Sequence, residues 1–239
     1  MRTLGIIGGI APESTIDYYR RIVAAYRQQR SDGSYPQIII NSIDLTKMLN
    51  LIGAGRLPEV TDYLLSELVK LSKAGANVGL LASNTPHLVF DDLQRRTPIP
   101  LVSIVEATCE AVRALGLRKV TLFGTRFTMQ GHFYPEVFSR RGIDVVVPNA
   151  EEQNYIHARY MGELVEGIYR VETRERMLAI AKQLKEREGI QGVILGGTEL
   201  PMLFRDGAQS DIPLLDTTAI HVEQAVAYLL AEEPARART

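Results

Sequence analysis

The sequence predicts an α/β fold built as two similar parallel-sheet lobes related by a pseudo-twofold, with a ligand cleft between them. Three observations carry this reading. Short apolar runs bounded by Gly and Pro alternate with helical patterns, as parallel strands covered on both faces require. Landmarks of the first half recur in the second at nearly one offset. Ile99-Pro100 returns as Ile212-Pro213 after 113 residues, Ser83 matches Gly197 after 114, and Gly8 matches Gly124 after 116. The 239 residues are 46% hydrophobic, enough to bury a core without staples.

The strand candidates are residues 4–9 (LGIIGG), 37–43 (QIIINSI), 78–82 (VGLLA) and 101–104. The second half supplies 119–123 (KVTLF), 144–147 (DVVV), 193–195 (VIL) and 213–215 (PLL). Between them, 13–29 opens after Pro12 and carries Ile16, Tyr19, Ile22 and Val23 at near-helical spacing. Residues 57–74 repeat Val60, Leu64, Leu65, Leu68 and Leu71. Residues 105–116 end in Gly116, as a C-cap would, and 173–188 alternate charges on an amphipathic pattern. Residues 217–230 close the chain. The expected lobes are 1–103 plus 216–239, and 104–215. The tail, 232–239, has no apolar period and reads as frayed.

Charge and cysteine content exclude several classes. Lys and Arg number 27 and Asp and Glu 28, a net charge of −1 that makes no case for nucleic acid or an anionic membrane. No apolar run approaches a membrane span, and the glycine-broken start reads as a strand and not as a leader. The expected location is the cytoplasm. Cys109 is the one cysteine, so no internal disulfide and no thiolate metal site is expected.

Four strand ends can carry chemistry, because ligands of parallel sheets sit at the carboxyl ends of strands. After the first strand, Gly8-Gly9 allows close backbone approach, and the next helix offers free N–H groups to an anion. The turn is neither G-x-G-x-x-G nor a Walker loop, which excludes the usual nucleotide cradles. Ser83-Asn84-Thr85-Pro86-His87 places three cap-capable residues and a histidine together, and plain capping accounts for only one or two of them. Thr125 and Thr128 follow the fifth strand and suit either a helix cap or a carboxylate. Thr198 and Glu199 follow Gly196-Gly197, where an acid also favours the helix dipole.

These motifs, GIIGGIAPEST, SNTPH, FGTRFTMQGHFY and GGTEL, stand in the order and spacing of the aspartate/glutamate racemase family. The resemblance runs from Leu4 to about Leu230. It implies a two-lobed, cofactor-independent amino-acid racemase that binds a small amino acid or carboxylate in the cleft. It also implies that two cysteines, in CNT and GCTE turns, face each other across the substrate α-carbon. Here those positions are Ser83 and Gly197. Members of the family it resembles often form homodimers.

The missing thiols change the chemistry. A thiol can be tuned into a base near neutral pH, whereas a serine hydroxyl needs a neighbouring base and a glycine offers no side chain. Cys109 lies within the 105–116 helix and reads as a small buried apolar residue. His87 and Glu199 are nearest in sequence to the two vacated positions, and histidine suits proton transfer. His132 and His157 read as surface or capping residues, and His221 as structural. The resemblance assigns Asn84, Thr85 and Thr198 to the substrate α-carboxylate, and Gly9, Thr125 and Thr128 complete that cradle. It offers Lys47 as the partner of a side-chain carboxylate. Three functions stand open: a racemase with a thiol-free site, a non-catalytic carboxylate- or amino-acid-binding protein, and a related isomerase or lyase acting on a diacid.

Overall fold

A computed structural model describes residues 2–205 and 210–231. The expectation for 232–239 lies outside the described residues. The first half runs β1 (Thr3–Gly8), α1 (Pro12–Gln28), β2 (Gln37–Ser42), α2 (Leu45–Gly53), α3 (Leu57–Lys73) and β3 (Val78–Leu81). A 3₁₀ turn (Thr85–Val89), α4 (Phe90–Arg96), β4 (Leu101–Val102) and α5 (Ile104–Ala114) follow. The second half runs β5 (Lys119–Gly124), α6 (Arg126–Gln130), α7 (Phe133–Ser139), β6 (Asp144–Val146) and α8 (Ala150–Arg159). It continues through a π-helical turn (Tyr160–Leu164), α9 (Val171–Glu188), β7 (Gly192–Gly196), α10 (Leu200–Phe204), β8 (Leu214–Asp216) and α11 (Thr217–Leu230).

The strands form two four-stranded sheets, ordered β2-β1-β3-β4 and β6-β5-β7-β8, and every pairing is parallel. The fold is α/β with two lobes, and one topology is used twice. Each sheet is covered on both faces. In the first, Ile7 and Leu81 pack under α2, α3 and α4, while Leu4, Ile6 and Leu80 pack under α1 and α11. In the second, Phe123, Val193 and Leu195 pack under α8 and α9, while Val120, Leu122 and Ile194 pack under α5 and α7. Double coverage explains why β3 and β7 are buried along their whole length and why their sequences do not alternate.

The strand expected at 101–104 stops at Val102, because Ser103 turns the chain and its hydroxyl accepts from the Glu106 N–H at 3.2 Å to cap α5. Gly116, at φ +71°, closes that helix from the left-handed region. The nine-residue α2 was not expected from periodicity; Asp44 caps it, accepting from the Lys47 N–H at 3.2 Å. His221 of α11 donates from Nε2 to the Val102 carbonyl and accepts at Nδ1 from the Tyr18 hydroxyl, both at 2.9 Å, tying α11 to β4 and α1. Among the described residues no helix is long and apolar enough to cross a membrane.

Candidate active site

The four turns singled out above follow β1, β3, β5 and β7, the two central strands of each sheet, so they face one another across the lobes. The cleft between them is lined by Ile10, Ala11, Ser83 and Thr85 from the first half and by Thr125, Tyr160 and Glu199 from the second. Leu45, Met48 and Leu49 of α2 and Met161 and Val165 of the π-helical region close it, leaving about 40 Å³.

Each turn is built locally. Gly9 has φ +79°, and a Cβ there would lie 2.7 Å from the Ser42 hydroxyl and 2.8 Å from the Ile43 nitrogen. Its N–H donates to Thr15 Oγ1 at 2.8 Å, so this amide is engaged within the turn. Thr85, Thr125 and Thr128 form a triangle of hydroxyls with separations of 3.2, 3.4 and 3.1 Å. Thr125 also caps α6. The triangle joins the two lobes at the floor of the cleft.

Glu199 is the charged side chain of this lining, and it is 2% exposed. Hydroxyls surround it: Ser14 and Tyr160 donate to its two oxygens, and the Thr198 hydroxyl stands 3.1 Å from one of them. Ser14 Oγ also lies 2.6 Å from Thr198 Oγ1, so the single Thr198 proton goes either to Ser14 or to Glu199. No cation pairs with Glu199 among the described residues. Charge-assisted hydrogen bonds from Ser14 and Tyr160, with the Thr198 hydroxyl beside them, hold the buried carboxylate in the absence of a counter-ion. Burial, reinforced by the negative charge of Glu199, raises the Tyr160 phenol well above its ordinary range.

Gly197 explains the position of Tyr160. A Cβ built on Gly197 would collide with the Tyr160 ring, meeting Cζ and the hydroxyl oxygen at 2.7 Å. The ring therefore occupies the space that a side chain at 197 would fill. Of the hydroxyls around Glu199, Ser14 lies inside the GIIGGIAPEST run without having been given a role there, and Tyr160 lies in no motif. Their contacts to Glu199 span 185 and 39 residues, a separation no local pattern reports.

Other candidates are placed elsewhere. His87 faces away from the cleft: Nε2 accepts from the Ile104 N–H at 3.3 Å, and its ring stacks on Phe90 at 4.8 Å. Lys47 sets its ammonium 4.1 Å from the Tyr63 ring centroid, outside the lining. At about 100° per residue it falls on the face of α2 opposite Leu45, Met48 and Leu49. Asn84 is spent between lobes, accepting from the Tyr134 hydroxyl at 2.7 Å and donating to Thr217 Oγ1 at 3.3 Å. Cys109 packs in α5 against Val112 and Phe138, and burial pushes its thiol up. No group of three or more His, Cys, Asp or Glu is placed to hold a metal ion among the described residues.

The buried histidines predict an acid sensitivity. Burial lowers His87 to about 3 and His221 to about 4. An unfolded histidine titrates near 6.5, so below that pH the unfolded chain takes up protons that the fold refuses. Stability is full above about pH 6.5 and falls by about 1.4 kcal/mol per pH unit per histidine as pH drops toward the folded values. Urea midpoints compared between about pH 7.5 and about pH 5 should fall; equal midpoints would show that both rings charge freely in the fold.

Comparison with known proteins gives the same architecture. A family model, Asp/Glu/Hydantoin racemase, matches residues 7–225. The chain is similar to the broad specificity amino-acid racemase RacX of Bacillus subtilis, at 25% identity over 95% of this chain and 98% of that protein. It is similar to the structure of an aspartate racemase homologue from Pyrococcus horikoshii, at 35% identity, covering 97% and 100% of the two chains with a TM-score of 0.82. Glutamate racemase from Francisella tularensis, crystallised with D-glutamate, shares the fold at 16% identity, 98% and 84% coverage and a TM-score of 0.68. The chain belongs to the Asp/Glu/hydantoin racemase family.

Proposed function

We propose that this chain is an amino-acid racemase that moves the α-proton of a small amino acid without a cofactor or a thiol. Tyr160, backed by Glu199, takes the place of the second thiol. The observation that carries this is the phenol ring standing where a side chain at 197 would stand, with its hydroxyl donating to a buried carboxylate.

The step balances within the pair. The phenol oxygen takes the α-proton as its own proton passes to Glu199, and the Cα–H electron pair moves into the carboxylate as an enediolate. Glu199 ends neutral and Tyr160 ends as a phenol again. A bare tyrosinate is not needed, which fits the raised phenol. The hydroxyls of Thr85 and Thr125 face the α-carboxylate and strengthen as its charge grows. Reprotonation on the other face falls to the Ser83 side, where the hydroxyl is a weak acid. Exchange of the α-hydrogen should therefore outrun inversion.

The test is proton NMR in D₂O with a panel of amino acids, alongside chiral analysis of the product. Loss of the α-signal ahead of inversion is expected, and a folded protein inert toward the whole panel would overturn catalysis. A second reading, amino-acid binding without turnover, is favoured by one observation. Among the described residues no basic side chain meets the Ser83 hydroxyl, since His87 is turned to Ile104. It predicts thermal stabilisation by an amino acid with no exchange.

A further inference from the structure

We infer that the cleft selects an amino acid with a neutral, apolar side chain over an acidic one. The inference rests on the proposed α-amino-acid site and deepens it.

The lining holds a polar and an apolar group of side chains, which we take as two ends of the cleft. Ser83, Thr85, Thr125, Tyr160 and Glu199 make the polar end, which suits an α-carboxylate and an α-ammonium. Leu45, Met48 and Leu49 make the other end from one face of α2, at the i, i+3, i+4 spacing that brings side chains together. Met161 and Val165, four residues apart, close it from the opposite lobe. The substrate side chain projects into this end when the α-substituents take the polar one.

An acidic side chain would bring a third carboxylate into a cleft that already holds Glu199 and the substrate's α-carboxylate. It would need a cation, and the cations near the cleft are engaged elsewhere. Lys47 sits over Tyr63 on the far face of α2. Arg159 pairs with Glu163 at 2.8 Å. Arg126 donates to Asn154 at 3.2 Å. An unpaired carboxylate buried among Leu, Met and Val is disfavoured, whereas an aliphatic or thioether chain gains by leaving water. The two methionines are adaptable and can yield as a ligand enters the small closed space.

The test is thermal stabilisation of the full chain by methionine, leucine, aspartate and glutamate, each as both enantiomers, with α-hydrogen exchange followed on the same samples. Methionine or leucine is expected to stabilise at concentrations at least tenfold below those at which aspartate or glutamate does. Leu49→Arg is expected to reverse that order, because Leu49 is only half-buried and can be replaced without opening the core. Val165→Lys, from the other lobe, gives an independent check. Equal or better stabilisation by the acids, an unchanged order in both variants, or no stabilisation by any of the four would overturn the inference. Apolar binding without exchange would leave the side-chain class standing and sink catalysis. Exchange favouring aspartate or glutamate would uphold catalysis and sink the class.

Discussion

Tyr160→Phe is expected to slow α-hydrogen exchange by about 10²- to 10⁴-fold, the usual contribution of a positioned acid or base. The ring stays, so the space beside Gly197 remains filled and the cleft keeps its shape. Only the hydroxyl that donates to Glu199 is lost. Glu199→Gln tests the other half of the pair. It keeps the shape and removes the negative acceptor, so the phenol proton has nowhere to go. The double variant should be hardly slower than either single one, since the two groups act as a unit. Each change also weakens a buried hydrogen bond to a charged group, a loss of about 1.5–3 kcal/mol, so rates are read well below the melting transition. Full exchange in Tyr160→Phe with loss only in Glu199→Gln would make Glu199 the direct base. Full exchange in both would remove this dyad from the chemistry.

Gly197→Cys is expected to destabilise the protein, although it restores the residue type that the family resemblance implies. Its Cβ would press into the Tyr160 ring, and the ring is wedged against α10 and the π-helical region in the core. Overpacking of this kind costs about 1–3 kcal/mol. For a chain of this size that lowers the melting temperature by about 2–4 °C per kcal/mol. Tyr160→Ala alone should lose more, about 3–5 kcal/mol, by leaving a cavity. The double variant Gly197→Cys with Tyr160→Ala should lose less than the sum, because each change relieves the defect of the other. Urea midpoints of the four proteins measure that coupling. An undisturbed midpoint in Gly197→Cys would show that the ring swings aside freely, and that its place beside Gly197 is incidental.

These two expectations mark where local pattern ends. The eight strands and the long helices were legible because their signals lie within a few residues of one another: Gly and Pro boundaries, near-helical apolar spacing, a proline at the head of α1. The duplicated plan was legible because three landmarks recur at offsets of 113, 114 and 116. The two sheets then repeat one strand order. The turns after β1, β3, β5 and β7 followed from the same reading, since parallel strands gather their carboxyl ends on one side.

Which side chains fill the cleft was not legible in the same way. His87 and Lys47 lie close in sequence to the cleft turns, but helix phase carries each of them to another face. Asn84 lies in the turn after β3, but its amide is consumed in joining α7 to α11. Tyr160 carried no motif, and Gly197 registered only as a missing side chain; folding brings the ring of one into the gap left by the other. Secondary structure is a short-range property of a chain and a repeat is visible as recurring residues along it, so both are read without knowing which residues touch. The Ser14–Glu199–Tyr160 cluster is made by contacts 185 and 39 residues apart; the second exists only once the second lobe has folded, and the first only once the two lobes have packed.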